Sequence, residues 1–220
     1  MVALKTFNNL STLRQEEIIQ VSLQEFAVKG YESASLSEII QKLGLAKGSF
    51  YRYFESKKSL YLYLIDHCAE LRLAHDAKLI QEPSTDFFEL MLQHFKGKIK
   101  FDNHHPLASA FLHTVLEEKN NNEIGDMQFR SKAKILRVIK PVIEQQIKQK
   151  KIRKDLDIDV MSYIALQMNL SILDYLSHVH KIDFRNNIQK GKPLYGISEK
   201  EMVKVAQIFM EIFKNGIIKK

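Results

Sequence analysis

From end to end this 220-residue chain spaces its apolar side chains at i, i+3 and i+4, and nowhere sustains the period-two alternation of a half-buried strand. Only 8 Gly and 4 Pro interrupt that pattern. The expected fold is therefore all-α. One stretch departs from the rule: LGLAKGSFYRYFESKKSL, Leu43 to Leu60, sets Gly44 and Gly48 in an otherwise helical run and crowds it with aromatics and lysines. A helix broken on purpose at that point has to serve something other than length.

The signals around it divide the first sixty residues into short pieces. Thr12 with Gln15 three positions on reads as a capping box, opening a helix whose apolar face is Ile19, Leu23, Phe26 and Ala27 and whose end is Gly30. Tyr31 falls where a helix-ending turn packs an apolar residue back onto the last turn. Ser35 and Glu38 repeat the capping pattern for a short helix carrying Leu36, Ile39, Ile40 and Leu43, and Gly44 closes it. Between Gly44 and Phe54 there is room for a tight turn and one more helix of about two turns. Ser56 then caps a long helix from Lys57 to about Gln81, ahead of Pro83.

Two short helices joined by a Gly-containing turn, behind a longer helix that holds them, is the layout of a helix-turn-helix DNA reader. Phe50 and Phe54, four apart, are expected to plug into Leu23, Phe26 and Leu43. Lys47, Ser49, Tyr51, Arg52 and Tyr53 then divide between the outer face and the seam. Lys47 and Ser49 have the reach for base edges, and the tyrosine hydroxyls and Lys57 for phosphates. Gly48, in the first turn of the second short helix, lets backbone come close to a sugar-phosphate edge.

The run FAVKGYESASLSEIIQKLGLAKGSFYRYFESKKSLYLYLI, residues 26 to 65, resembles the DNA-binding domain of TetR-type (TetR/AcrR-like) transcriptional regulators, with the phenylalanine, KGY, the capped short helix, LG, KGSFYRYF and SK in order. The resemblance implies base or phosphate contacts from Lys47, Gly48, Ser49, Tyr51 and Tyr53, a phosphate contact from Lys57, and Ser35 as cap of the support helix. It also implies an N-terminal three-helix domain, residues 1 to 60, joined by the long helix to a larger ligand-binding and dimerisation domain, residues 61 to 220. Three positions differ from the family's pattern. Ser37 replaces a DNA-reaching Arg, Ala46 a capping Ser or Thr, and Ile40 a small Ala.

Beyond residue 85, helices are expected over 86 to 100, 106 to 118, 126 to 152, 158 to 180 and 198 to 216, with loops at DNHHP, KNNNE and RNNIQKGKPLYG. The last two long helices are apolar on two sides, which marks them as central or shared between subunits. The resemblance implies that they pair with their copies in a homodimer, through Leu166, Leu170, Leu173, Phe209, Met210 and Phe213. Bulky Phe88, Met91, Phe95, Phe111, Phe129 and Met168, with His113 and Gln167 as polar groups among them, fit the recipe for a small-molecule pocket. The alternative for these residues is ordinary core.

The formal net charge of +7 is unevenly placed. Residues 1 to 60 carry eight Lys/Arg against six Asp/Glu, whereas residues 130 to 154 carry ten against Glu144 alone. Ile135, Val138, Ile139, Val142, Ile143 and Ile147 trace a face there, so the lysines are read as a solvated face, with attraction for an anionic ligand or flanking DNA as the other reading. A lone cysteine, Cys68, in an apolar run reads as packing and fits a reducing compartment. Without a membrane-length apolar run or a leader pattern, the chain is read as cytoplasmic and without a membrane partner.

No phosphate loop, nucleophile elbow or HExxH pair points to an enzyme. His104 with His105, and His178 with His180, do not share a helix face, so neither a metal nor another cofactor is expected. The function expected is a ligand-responsive regulator, commonly a repressor in this family, binding palindromic operator DNA. Its rival is a ligand-independent DNA-binding or protein-interaction module on the same fold.

Overall fold

The computed structural model describes residues 4–79 and 86–217, and every regular element among them is a helix. In chain order these are α1 (Lys5–Asn8), α2 (Thr12–Ser33), α3 (Leu36–Lys42), α4 (Lys47–Tyr51), α5 (Lys57–Leu79), α6 (Phe87–His104), α7 (Pro106–Glu117), α8 (Met127–Lys148), α9 (Ile158–His180), α10 (Phe184–Gln189) and α11 (Glu199–Ile217). The long helices fall where periodicity put them. The expected end of α5 near Gln81 lies outside the described residues.

Caps differ in detail from expectation. Ser11, not Thr12, caps α2, its hydroxyl accepting from Arg14 N. Gln15 turns outward from the box and donates to the carbonyl of Leu10 at 2.9 Å. At Gly30 the backbone of α2 leaves helical geometry, with φ 72° and ψ 177°, and one more turn follows to Ser33. Ser35 caps α3 as expected, but its own N–H donates to buried Glu25 at 3.0 Å instead of to Glu38. Ser56 and Ser59 cap the start of α5 reciprocally, each backbone N–H donating to the other's hydroxyl at 3.0 and 3.1 Å.

Two helices escaped the sequence reading. Both α1 and α10 are short, and α10 lies within a stretch expected to be a loop. α8 runs on through Pro141, which is solvent-exposed and donates no hydrogen bond to the preceding turn.

The chain forms two compact units that do not follow a cut at residue 60. The first comprises residues 1–74, 102–128 and 184–194; the second comprises 75–101, 129–183 and 195–220. In the first, α7 and α10 pack on α2. The reason is an aromatic cluster: Tyr61 meets Phe26 at 5.0 Å, Tyr31 at 4.9 Å and Phe111 at 5.2 Å between ring centroids. Thr114 Oγ1 adds a hydrogen bond to the carbonyl of Ala27 at 3.1 Å.

The end of α7 and the turn after it grip the break in α2. Glu118 accepts from Tyr31 N at 2.7 Å, Glu123 accepts from the Tyr31 hydroxyl, and Asn121 Nδ2 donates to Glu32 at 3.0 Å. Gly30 is favoured there by its positive φ, and a Cβ would also crowd Glu118 Oε1 at 3.1 Å. Cys68 is fully buried, and burial pushes its thiol up to about 12, consistent with packing and not nucleophilic chemistry.

In the second unit α9 packs on α11. Met161, Ala165, Leu166, Met168, Ile172, Leu173, Met202, Ala206 and Met210 are buried in its interior, with Phe87, Phe88, Met91 and Phe95 of α6 also buried. Asp157 caps α9 by accepting from Val160 N at 2.8 Å.

Candidate nucleic-acid interface

The helix-turn-helix rests on α2. Ile19, Leu23, Phe26, Ile39, Leu43, Phe50 and Phe54 are each buried, as their spacing required. Arg14 of α2 donates to the carbonyl of Leu43 at 2.9 Å and so satisfies one of the orphan acceptors at the end of α3. The turn is made by Gly44 at φ 61°, a left-handed conformation that L side chains rarely adopt.

A buried carboxylate secures the support helix, and the sequence reading passed over it. Glu25 accepts from Ser35 N, lies 2.9 Å from Lys29 Nζ and 3.3 Å from Lys42 Nζ. Burial alone would raise its carboxyl; the hydrogen bonds from Lys29, the Ser35 amide and Lys42 outweigh that and hold it below the usual carboxylate range. The available signal was Lys29 four residues on from an acid on the buried face of α2.

α4 has five residues and begins at Ala46 with no side-chain cap. What it displays is polar and basic. Lys47, Gly48, Tyr51 and Arg52 are exposed, Tyr51 at 42 %. Ser49 and Tyr53 are half-buried. Gly48 has ordinary helical backbone, and a Cβ built there would meet nothing within 4 Å. The fold of the protein alone gives no reason for a glycine at 48, although glycine costs a helix roughly 0.5–1 kcal/mol relative to alanine.

Lys57 is placed otherwise than expected for a phosphate ligand. Its Nζ donates to the carbonyls of Glu32 and Ala34 at 3.1 Å each and sits 4.6 Å from the Tyr31 ring centroid. The ammonium thus caps the end of α2, where a cation is favoured. Ser35 is likewise spent on capping α3.

The residues expected to line one pocket are divided between the two units. Phe88, Met91, Phe95, Gln167 and Met168 belong to the second unit, while Phe111 and His113 belong to the first. There Phe111 completes the aromatic cluster and His113 stacks on Phe184 at 5.2 Å. Phe129 is 70 % exposed, at the start of α8. Gln167 bonds the exposed Tyr163 hydroxyl at 3.2 Å.

The residues expected to pair two copies differ in exposure. Leu166, Leu173 and Met210 are buried, and Phe213 packs on Phe88 at 6.2 Å. Leu170 and Phe209 are half-buried, Phe209 against Tyr175 at 5.7 Å. The apolar side chains open to solvent are Val160, Tyr163, Ile164, Tyr175 and Val179 on α9 and Ile208 and Ile212 on α11. On α8, Val138 is 70 % exposed beside Lys134 and Arg137, so the outer face there is basic with an apolar inclusion. No described helix is long and apolar enough to cross a membrane.

A support helix, a glycine turn and a short exposed helix on a buried aromatic seat define a helix-turn-helix of the DNA-reading class. Residues 18–64 match the family model described as bacterial regulatory proteins, tetR family. The uncharacterized HTH-type transcriptional regulator YvdT of Bacillus subtilis is 40% identical over 62 residues, which cover 28% of this chain and 30% of that protein. The match thus spans less than two thirds of that relative's length. The icaADBC negative regulator IcaR of Staphylococcus aureus is 24% identical over 139 residues, 62% of this chain and 74% of that one. A TetR family transcriptional regulator of Chloroflexus aurantiacus has the same fold over 100% of both chains, with TM-score 0.81 and 26% identity. Residues 18–64 thus carry a helix-turn-helix of the tetR family, and the comparisons support a TetR-type regulator with an all-helical fold.

Proposed function

We propose that this chain is a ligand-responsive transcriptional regulator, acting in the cytoplasm as a repressor, that binds palindromic duplex DNA as a homodimer and is released by a small molecule bound in its larger helical part. The observation that carries the DNA half is α4. It presents Lys47, Gly48 and Tyr51 to solvent with no task in the fold, and it keeps a glycine at 48 that the protein alone does not need. Basic and hydroxyl-bearing side chains around an open backbone suit a phosphate-flanked groove. Ser49 and Tyr53, half-buried at the seam, complete the contact set.

A helix this short reads only a few base pairs, so useful specificity calls for two copies about 34 Å apart along the duplex. The exposed apolar side chains of α9 and α11 support the pairing, because seven large side chains left in water are a cost that a second copy can remove. The effector reading rests on the Phe- and Met-rich interior of the second unit, with Phe88, Met91, Phe95 and Met168 as its residues. Effector and operator would then weaken each other reciprocally, with a coupling on the order of 1–3 kcal/mol. The regulator IcaR, a relative over much of its length, is named as a negative regulator, in keeping with repression.

The test is selection from random duplex DNA at near-physiological salt, with a Lys47→Ala/Tyr51→Ala variant alongside. The parent should enrich a palindrome and the variant should not. A folded dimeric parent that enriches nothing sinks the operator reading.

A further inference from the structure

Residues 4 to 10 lie outside the segment matched by the family model, 18–64, yet they bond the residues that end the recognition helix, Arg52 and Tyr53. The last carbonyls of a helix have no partner within it. Here two acceptors just past α4 are taken by the N-terminal segment. Leu4 N donates to the carbonyl of Tyr53 at 2.9 Å, and the Thr6 hydroxyl donates to the carbonyl of Arg52. Phe7, the residue after Thr6, is fully buried, with its ring 4.9 Å from Phe54, 5.3 Å from Tyr63 and 6.4 Å from Tyr53.

α1 is itself anchored. The Gln15 amide of α2 donates to the carbonyls of Leu10 at 2.9 Å and Asn8 at 3.3 Å, so the segment is tied to the helix that supports the reader. At the other end α4 has only Ala46, without a side-chain cap, and Gly48 sits in its first turn. Five residues, one of them glycine, cannot hold a helix alone, since nucleation fixes more dihedrals than the bonds formed repay. The order of α4 must come from contacts outside it, and α1 supplies those at its C-terminal end.

We infer that α1 is a working part of the reader: Phe7 and Thr6 are positioning residues that fix the end of α4, and through it the side chains of Lys47, Ser49 and Tyr51. The functional half rests on the DNA reading above; the structural half does not. Loss of α1 contacts leaves the hydrophobic seat of Phe50 in place but frees the end of the helix. Bases are then met by a mobile display, and discrimination between sequences falls before phosphate attraction does.

The experiment uses the full chain with Phe7→Ala, Phe7→Leu and Thr6→Val. Amide hydrogen exchange at Phe50, Arg52 and Tyr53 should quicken by about tenfold or more in Phe7→Ala and Thr6→Val while α9 amides stay at parental rates. The ratio of affinity for the selected palindrome to that for scrambled duplex should fall by about tenfold, and Phe7→Leu should restore most of it. Unchanged exchange in α4 overturns the inference. Faster exchange with an unchanged ratio overturns the functional half. Should Phe7→Ala fail to fold, Thr6→Val, which removes one donor and no core volume, decides the matter. A parent that binds no duplex sinks the operator reading, and exchange alone then decides whether α1 holds α4.

Discussion

The recognition segment and the α9–α11 face both leave side chains in water that their own fold does not use, but by opposite chemistry. In the first, polar and basic groups stand on a five-residue helix with no cap and a glycine where none is needed. In the second, Val160, Tyr163, Ile164, Tyr175, Val179, Ile208 and Ile212 stand on two long helices whose other sides are packed. The first suits a charged, grooved surface met transiently; the second suits a permanent apolar partner.

The largest effect should come from charging the apolar face. Ile164→Glu with Ile212→Glu, at residues already in water, should leave each chain folded and raise the self-association constant Kd by at least about 10³-fold. Sedimentation velocity reads the result, and a double variant that stays dimeric breaks this side of the comparison. Next in size is Gly30→Ala. Positive φ and a carboxylate oxygen 3.1 Å from the new methyl should cost roughly 1–3 kcal/mol in denaturant unfolding. By contrast Gly44→Ala meets nothing within 4 Å, so only the positive φ strains it and its cost should be smaller.

Glu25→Gln sharpens the reading segment through pH. Its folded carboxyl titrates below the usual range, so its contribution is full above the unfolded carboxylate value and is lost as pH falls through the folded one. The gap between parent and variant, about 1 kcal/mol near neutral pH for bonds to partly exposed lysines, should therefore close in acid. Smallest is Tyr61→Phe. The Tyr61 hydroxyl is buried with no hydrogen-bond partner among the described residues. Removing it should leave stability unchanged or raise it by up to about 1 kcal/mol.

The reading segment was legible in the sequence because turn chemistry sits at fixed offsets. Ser35, Gly44, Phe50 and Phe54 each admit one local explanation, and together they set the register of two helices. The face of α9 was not legible at the level of residues. A helix with apolar side chains at both 161–165–168–172 and 163–166–170–173 offers two stripes, and periodicity cannot say which one its own unit takes. Leu166 and Leu173 went inward, and Tyr163 stayed out. Likewise Phe111 was legible as apolar but not as a partner of Tyr61, because fifty residues separate them in the chain. Lys57 shows the limit for polar groups, since a free ammonium and one that caps the carbonyls of Glu32 and Ala34 are the same letter.

Gly48→Ala tests the central claim most directly, because fold and DNA reading predict opposite signs. With open space around the new methyl, unfolding free energy should rise by roughly 0.5–1 kcal/mol. Affinity for the selected palindrome should fall by at least about tenfold, because under the proposed reading the methyl would stand where backbone approaches phosphate. A more stable variant with parental affinity would contradict the account, since the glycine would then serve neither the fold nor the duplex.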